Sequence, residues 1–160
     1  MIYSLLALLA LQSAPATAQC APGTAHPVIV KITGFKNRAG QVRVRLFGGP
    51  TSTYFDKRQT LVRTEIATPR AGAVTICVAA PRPGVYAVDV RHDVNGNGKT
   101  DRADGGGTSG NPAIGLMDVI FKRKPDPAEV QIRVGNGPTV VPIQLKYLQG
   151  GSFRPAQSTD

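Results

Sequence analysis

The segment from Asp93 to Asp104 places oxygen-bearing side chains at regular intervals around glycines. It reads DVNGNGKTDRAD, and Gly98 at its sixth position allows a sharp turn. Calcium is a hard cation that takes six to eight oxygen ligands, which alternate-residue spacing can direct to one centre. The spacing therefore predicts Ca²⁺ as a cofactor. The predicted ligands are the side chains of Asp93, Asn95, Asn97, Asp101 and Asp104 with the backbone carbonyl of Lys99.

This loop resembles the calcium loops of EF-hands and dockerins, with differences. Thr100 stands at position eight, where an aliphatic residue is usual, and residues 85–91 before the loop have the pattern of a strand rather than a helix. We therefore expect a stabilising site with a Kd of about 0.1 to 1 mM, as in extracellular modules. The alternative is a hairpin loop without metal, because Asn-Gly is a strong turn signal by itself.

Two patterns next to this loop are weak indications of an enzyme. Gly105–Gly110 reads GGGTSG and satisfies G-x-G-x-x-G, but a dinucleotide site needs a preceding strand and a following helix, whereas Asn111-Pro112 follows here. The chain has two histidines, too few placed groups for a catalytic triad. We expect no catalytic residues and no enzymatic activity. A hydrolase that uses a loop carboxylate with His92 remains the alternative.

The elements that must position the loop are strands, since apolar residues recur at every second position. About seven short strands separated by turns predict an all-β fold, an antiparallel β-sandwich of immunoglobulin or transthyretin type. We assign residues 28–148 to this domain, 19–27 to an N-terminal extension and 149–160 to a disordered tail. The alternating apolar sets are Val28, Val30 and Ile32; Val42, Val44 and Leu46; Val74, Ile76 and Val78; Tyr86, Val88 and Val90; Val130, Ile132 and Val134; and Val141, Ile143, Leu145 and Tyr147.

Residues 1–18 have the pattern of a secretory signal peptide. A short apolar run from Leu5 to Leu11 is followed by small residues that end in Ala-Thr-Ala at positions 16–18. We predict an exported protein, periplasmic or secreted, without a transmembrane segment. A lipid anchor on Cys20 is the alternative, although Gln19 stands where a small residue is expected.

Export changes the expectation for the two cysteines, Cys20 and Cys77. Disulfides persist in oxidising compartments, so one bridge between them would tie the N-terminus to the domain. Two free thiols are the alternative, because sequence carries no geometry.

The chain is strongly basic, with 19 Lys and Arg against 10 Asp and Glu in 160 residues and a net charge of +9. Aromatic residues make up only 6%, so no stacking strip for nucleic acid is expected. An anionic envelope component or acidic glycan is the expected partner, and a merely solvated surface is the alternative. The alternation places these basic residues on outward faces: Lys31, Arg43, Arg45, Arg63, Arg91, Arg133 and Lys146.

One ordered set of motifs resembles a known family. A Pro-Gly-x-Tyr turn at residues 83–86 precedes a strand, the motif His-Asp-x-Asn-x-Asn-Gly-x-x-Asp at 92–101, and a closing strand at 141–147. This order resembles the exported bacterial proteins called domain of unknown function 2141. The resemblance implies an exported β-sandwich of unestablished activity. We therefore expect a non-enzymatic, calcium-stabilised protein that binds an envelope or extracellular partner, with anion binding through a basic sheet face as the alternative.

Overall fold

A computed structural model describes residues 19–156. The predicted signal peptide, residues 1–18, and the last four residues of the predicted tail lie outside the described residues. In chain order the elements are β1 (Pro27–Thr33), β2 (Gln41–Gly48), two 3₁₀ turns (Thr51–Thr53 and Lys57–Gln59), β3 (Val62–Ala67), β4 (Val74–Ala79), β5 (Gly84–Asp93), β6 (Gly105–Thr108), α1 (Leu116–Ile120), α2 (Pro127–Val130), β7 (Ile132–Val134), β8 (Thr139–Gln144), β9 (Lys146–Gln149) and β10 (Ser152–Pro155).

These strands form two sheets, which confirms the all-β sandwich. The small sheet has the order β4-β1-β8, and the large one the order β10-β9-β6-β5-β2-β3 with β7 paired to β5. The structure has more strands than the seven predicted, and β1 pairs with β8 in parallel rather than antiparallel. The added strands are short, and β6 carries almost no side chains, so period-two alternation could not mark it.

The core lies between the sheets and uses the predicted alternating residues. The inward side chains of β1, β2, β4 and β5 are almost completely buried in one cluster. Each such side chain contributes about 1.5 to 3 kcal/mol relative to an exposed one. The long predicted strand that ends at Tyr147 is divided at Leu145, whose backbone N–H donates to Thr33 O. The chain passes there from the small sheet into the large one.

A second apolar cluster covers the outer face of the large sheet at one end. Phe47, which alternation placed on the outward face of β2, is completely buried with Tyr54, Ala87 and Val130. Tyr54 directly follows the first 3₁₀ turn, and Val130 is the last residue of α2. At this end of the sheet, an outward-facing side chain is therefore buried rather than exposed.

The C-terminal tail prediction is wrong for the residues that the structure describes. β10 pairs with β9 in an antiparallel hairpin over residues 146–155. Gly150 and Gly151 close it with φ of 55° and 81°, which a two-residue hairpin turn requires and glycine allows at little cost. The Gly-Gly pair was the signal that could have predicted this hairpin.

Cys20 and Cys77 form a disulfide with a Cα–Cα separation of 5.2 Å. The bridge fastens the N-terminal extension to β4. Within residues 19–156, none of the helices has the length and apolar character to span a bilayer.

Candidate functional site

The loop from Asp93 to Asp104 connects two neighbouring strands of the large sheet. β5 enters it and β6 leaves it, and His92 pairs with Gly105 across the antiparallel ladder. Gly96 and Gly98 have φ of 66° and 75°, a left-handed conformation that side chains resist. The glycine pattern thus predicted the turns correctly.

Three of the predicted ligands meet at the tip of the loop. Asn95 Nδ2 and Asn97 Nδ2 donate to Asp101 Oδ2 over 2.8 and 3.3 Å. The hydrogen bond from Asn95 is the main cause that lowers the pKa of Asp101 below its usual value. Lys99 is exposed, and its backbone N–H donates to Asn97 Oδ1. The tip therefore presents a charged carboxylate held by two amides.

The other two predicted ligands lie at the base of the loop around an arginine. Arg91 donates to Asp104 Oδ2 over 2.7 Å, and the same guanidinium lies 3.6 Å from Asp93 Oδ2. Asp104 is further bonded by the backbone N–H groups of Val94 and Asp101. The predicted ligands thus form two groups, and Arg91 was not anticipated from the loop sequence.

One observation argues against a cation at these residues and another argues for it. Across residues 19–156, no group of three or more His, Cys, Asp or Glu side chains has the arrangement of a metal site. Asp93 Oδ1, however, is buried and has no hydrogen-bond partner in the described part of the chain, although a buried polar oxygen normally has one. Asp93, Asn95, Asn97 and Asp101 could supply oxygens, whereas Asp104 is already engaged by Arg91.

His92 precedes this loop and is completely buried. Its Nε2 lies 2.8 Å from Ala39 O and its Nδ1 lies 2.7 Å from the hydroxyl of Tyr147. A carbonyl only accepts, so Nε2–H donates to Ala39 and Nδ1 accepts from Tyr147 O–H. Both nitrogens are thus used within the core.

We expect His92 to make stability depend on pH. Burial lowers its pKa below the ordinary value of 6.5, so the unfolded chain binds a proton that the folded protein does not. As the pH falls below about 6.5, stability should decrease by up to about 1.4 kcal/mol per pH unit until the folded pKa is reached. Urea unfolding between about pH 7.5 and pH 5 measures this slope. In His92→Gln the slope should become shallower, and an unchanged slope would contradict the assignment.

A cleft adjoins the loop on the outer face of the large sheet. It has a volume of about 720 Å³ and runs between α1 on one side and β9 and β10 on the other. Its floor includes Gly105 and Gly106 of β6, and its loop end carries Arg102. The Gly-rich segment, which lacks the context of a dinucleotide motif, is a strand that leaves space above it, and no hydrophobic pattern in the sequence indicates this strand.

Three arginines of the large sheet are paired with acids: Arg45 binds Asp89, Arg63 binds Glu65 and Arg91 binds Asp104. Arg43 forms no ion pair among the described residues, and its Nε is buried without a hydrogen-bond partner there. Burial and the charges of the neighbouring Arg45, Arg91 and Arg63 lower the pKa of Arg43. An unpaired guanidinium therefore lies in the middle of this face.

A comparison with protein families finds one match. The family model described as "uncharacterized protein conserved in bacteria", DUF2141, matches residues 30–142, which contain the loop, the glycine strand and most of the core. Neither a curated protein nor a solved structure matches this chain.

Proposed function

The chain belongs to the bacterial family called domain of unknown function 2141, and from this premise we propose that it is an exported, non-enzymatic β-sandwich that binds an anionic envelope or extracellular partner and is stabilised by Ca²⁺ in the loop 93–104. The disulfide between Cys20 and Cys77 supports export, because such bonds persist in oxidising compartments.

The calcium part depends chiefly on one observation, the buried and unpartnered Asp93 Oδ1. A buried carboxylate oxygen without a partner costs free energy, which a cation would recover. Asn95, Asn97 and Asp101 lie in the same loop and supply the oxygen chemistry that calcium prefers. The Arg91–Asp104 pair would then close the base of the loop without taking part in coordination.

Calcium should raise the thermal stability of the protein. At about 10 mM Ca²⁺ and a Kd of about 0.1 to 1 mM, the expected gain is about 1.4 to 2.7 kcal/mol, or roughly 3 to 10 °C in Tm. Calorimetry of the protein with and without Ca²⁺ measures it, with Mg²⁺ at the same concentration as the ion control.

The loop variants decide whether this gain comes from the predicted site. Asp93→Asn and Asp101→Asn should each abolish most of the calcium-dependent increment, even where they lower the Tm itself. Asp126→Asn is the matched control, since Asp126 caps α2 outside the loop and Asn is an equally good cap. A gain that persists in both loop variants, or no gain in the parent protein, would reject the site.

The anionic partner is supported by the unpaired Arg43 on the outer face of the large sheet. We expect an acidic polysaccharide such as heparin to bind less tightly as salt is raised, because exposed charges are screened. Arg43→Gln should weaken this binding about tenfold. Arg154→Gln, an exposed change on β10, is the control. Equal binding by both variants would reject this face as the site.

A further inference from the structure

We propose that the cleft beside β6 binds the chain of a long-chain fatty acid, with its carboxylate held by Arg102 at the loop end of the rim. This inference goes beyond the proposed function and requires neither calcium nor a polysaccharide. It depends on three features of the described residues: a floor without side chains, apolar walls, and cations that lack an acidic partner.

The floor is open because the first three residues of β6 are glycines. Gly106 faces outward, and a Cβ added there would meet only Val90 O, at 3.8 Å. Its neighbours Gly105 and Gly107 face inward against Tyr147 and Ile143. The groove at Gly106 therefore reaches down to the level of the backbone, where any other residue would place a side chain.

The walls of the cleft are apolar and partly exposed. Val119 and Ile120 of α1 are 49% and 57% exposed, although they line the cleft. A smaller cavity of about 220 Å³ continues it and shares Gly106, Val119 and Phe153. Ligand sites usually measure about 300 to 1,000 Å³ and combine apolar walls with a few placed polar groups. The apolar wall residues are Ile114, Leu116, Val119, Ile120, Leu148 and Phe153.

The charges at the rim select an anionic headgroup. Arg102 lies at the loop end, is exposed and forms no ion pair in the described residues. Lys146 lies in the continuing cavity, and within residues 19–156 its Nζ donates only to the carbonyls of Asn111 and Pro112, which carry no charge. Two carboxylates also line the cleft: Asp104 is paired with Arg91, whereas Asp101 accepts only from the amides of Asn95 and Asn97 among the described side chains and keeps its charge. The combined lining of cleft and cavity still carries more cations than carboxylates, namely Arg91, Arg102 and Lys146 against Asp101 and Asp104.

The geometry thus offers a carboxylate the unpaired Arg102 at the loop end, and offers a hydrocarbon chain the apolar walls of the cleft and of the cavity that continues it. Binding of the hydrocarbon chain removes the exposed apolar walls from contact with water, and each methylene buried contributes about 0.8 kcal/mol of favourable free energy. A polysaccharide would leave those walls exposed, and a neutral lipid would leave Arg102 without a partner. A free fatty acid satisfies both parts of the site.

Calorimetric titration with palmitate and with its neutral alcohol tests the proposal, in EDTA so that failure of the calcium site cannot affect it. Palmitate should bind, and Gly106→Leu should weaken it at least about tenfold by filling the floor. Gly135→Leu is the matched control, because Gly135 also has open space around it but lies away from the cleft. Equal affinity of the two variants would overturn the proposal.

A second pair of variants avoids the strand altogether. Val119→Glu puts a charge into the wall, and Val140→Glu makes the same change at an equally exposed valine on β8. Only the first should weaken palmitate binding.

Arg102→Gln should reduce binding of palmitate but not of the alcohol, with Arg70→Gln as the cation control. Association with phosphatidylglycerol vesicles without binding of palmitate would overturn the cleft in favour of a membrane surface.

Discussion

Gly105→Ala is expected to destabilise the protein by about 3 kcal/mol, whereas Gly106→Ala, one residue along the same strand, should change stability by less than about 1 kcal/mol. A Cβ at position 105 would lie 2.4 Å from Cε1 of Tyr147. Such a contact cannot form, so either the ring or the strand must move. The predicted difference between these adjacent glycines is large because β6 alternates between the core and the cleft.

The ring has little freedom to move, which is why the effect should be large. Tyr147 is completely buried, and its hydroxyl is held by His92. The burial raises the pKa of this hydroxyl to about 12, so it stays protonated and remains a donor to His92. Displacing the ring would break that hydrogen bond and disturb the core on both sides.

Urea unfolding of the two variants and the parent protein measures the contrast. Gly107→Ala should follow Gly105→Ala, because a Cβ there would lie 2.7 Å from Ile143 Cγ2 and 2.8 Å from Gln144 O. Thus the outer glycines of the triplet should be intolerant and the middle one tolerant. Equal losses at all three positions would contradict the alternation of this strand.

Cys20→Ser is the second change with a large expected effect, a loss of about 4 kcal/mol. The bridge joins residues 57 positions apart, and removing it releases the unfolded chain from a long closed loop. Cys20 itself is half-buried and lies in the N-terminal extension before β1. The effect should therefore come mainly from the unfolded state.

Denaturation of the single variants and of the double variant separates the crosslink from the side chains. The double variant, Cys20→Ser with Cys77→Ser, should be at least as stable as the less stable of the two single variants, because the bridge is lost only once. Reduced parent protein should match Cys20→Ser. A parent protein whose stability does not change on reduction would contradict the assigned role of the bridge.

The core could be predicted from sequence because its signal is local. Val42, Val44 and Leu46 alternate with polar residues, and a sheet with one buried face requires that period. The strand β6 could not be predicted in this way, because a run of glycines has no hydrophobic pattern. Its position is defined by pairing with β5, across the loop 94–104, and with β9, which is remote in sequence.

In the loop, too, local features could be predicted from the sequence and long-range contacts could not. Its turns followed from Gly96 and Gly98, but the interaction that organises its base involves Arg91, which alternation could only place on an outward face. The cross-strand register brings that arginine to Asp104, thirteen residues later. Likewise, the partner of His92 is Tyr147, which the chain reaches only through β9. Sequence patterns predict which face of a strand a residue lies on, whereas long-range strand pairing determines which residues it contacts.

The parallel pairing of β1 with β8 has a consequence for the order in which the protein folds. Val28 pairs with Thr139, a separation of 139 − 28 = 111 residues, whereas β1 meets β4 much earlier in the chain. A chain that emerges from its N-terminus must therefore leave one edge of β1 open until nearly all of its residues are available. Such an edge can recruit another chain, so slow or interrupted synthesis should favour aggregation through β1.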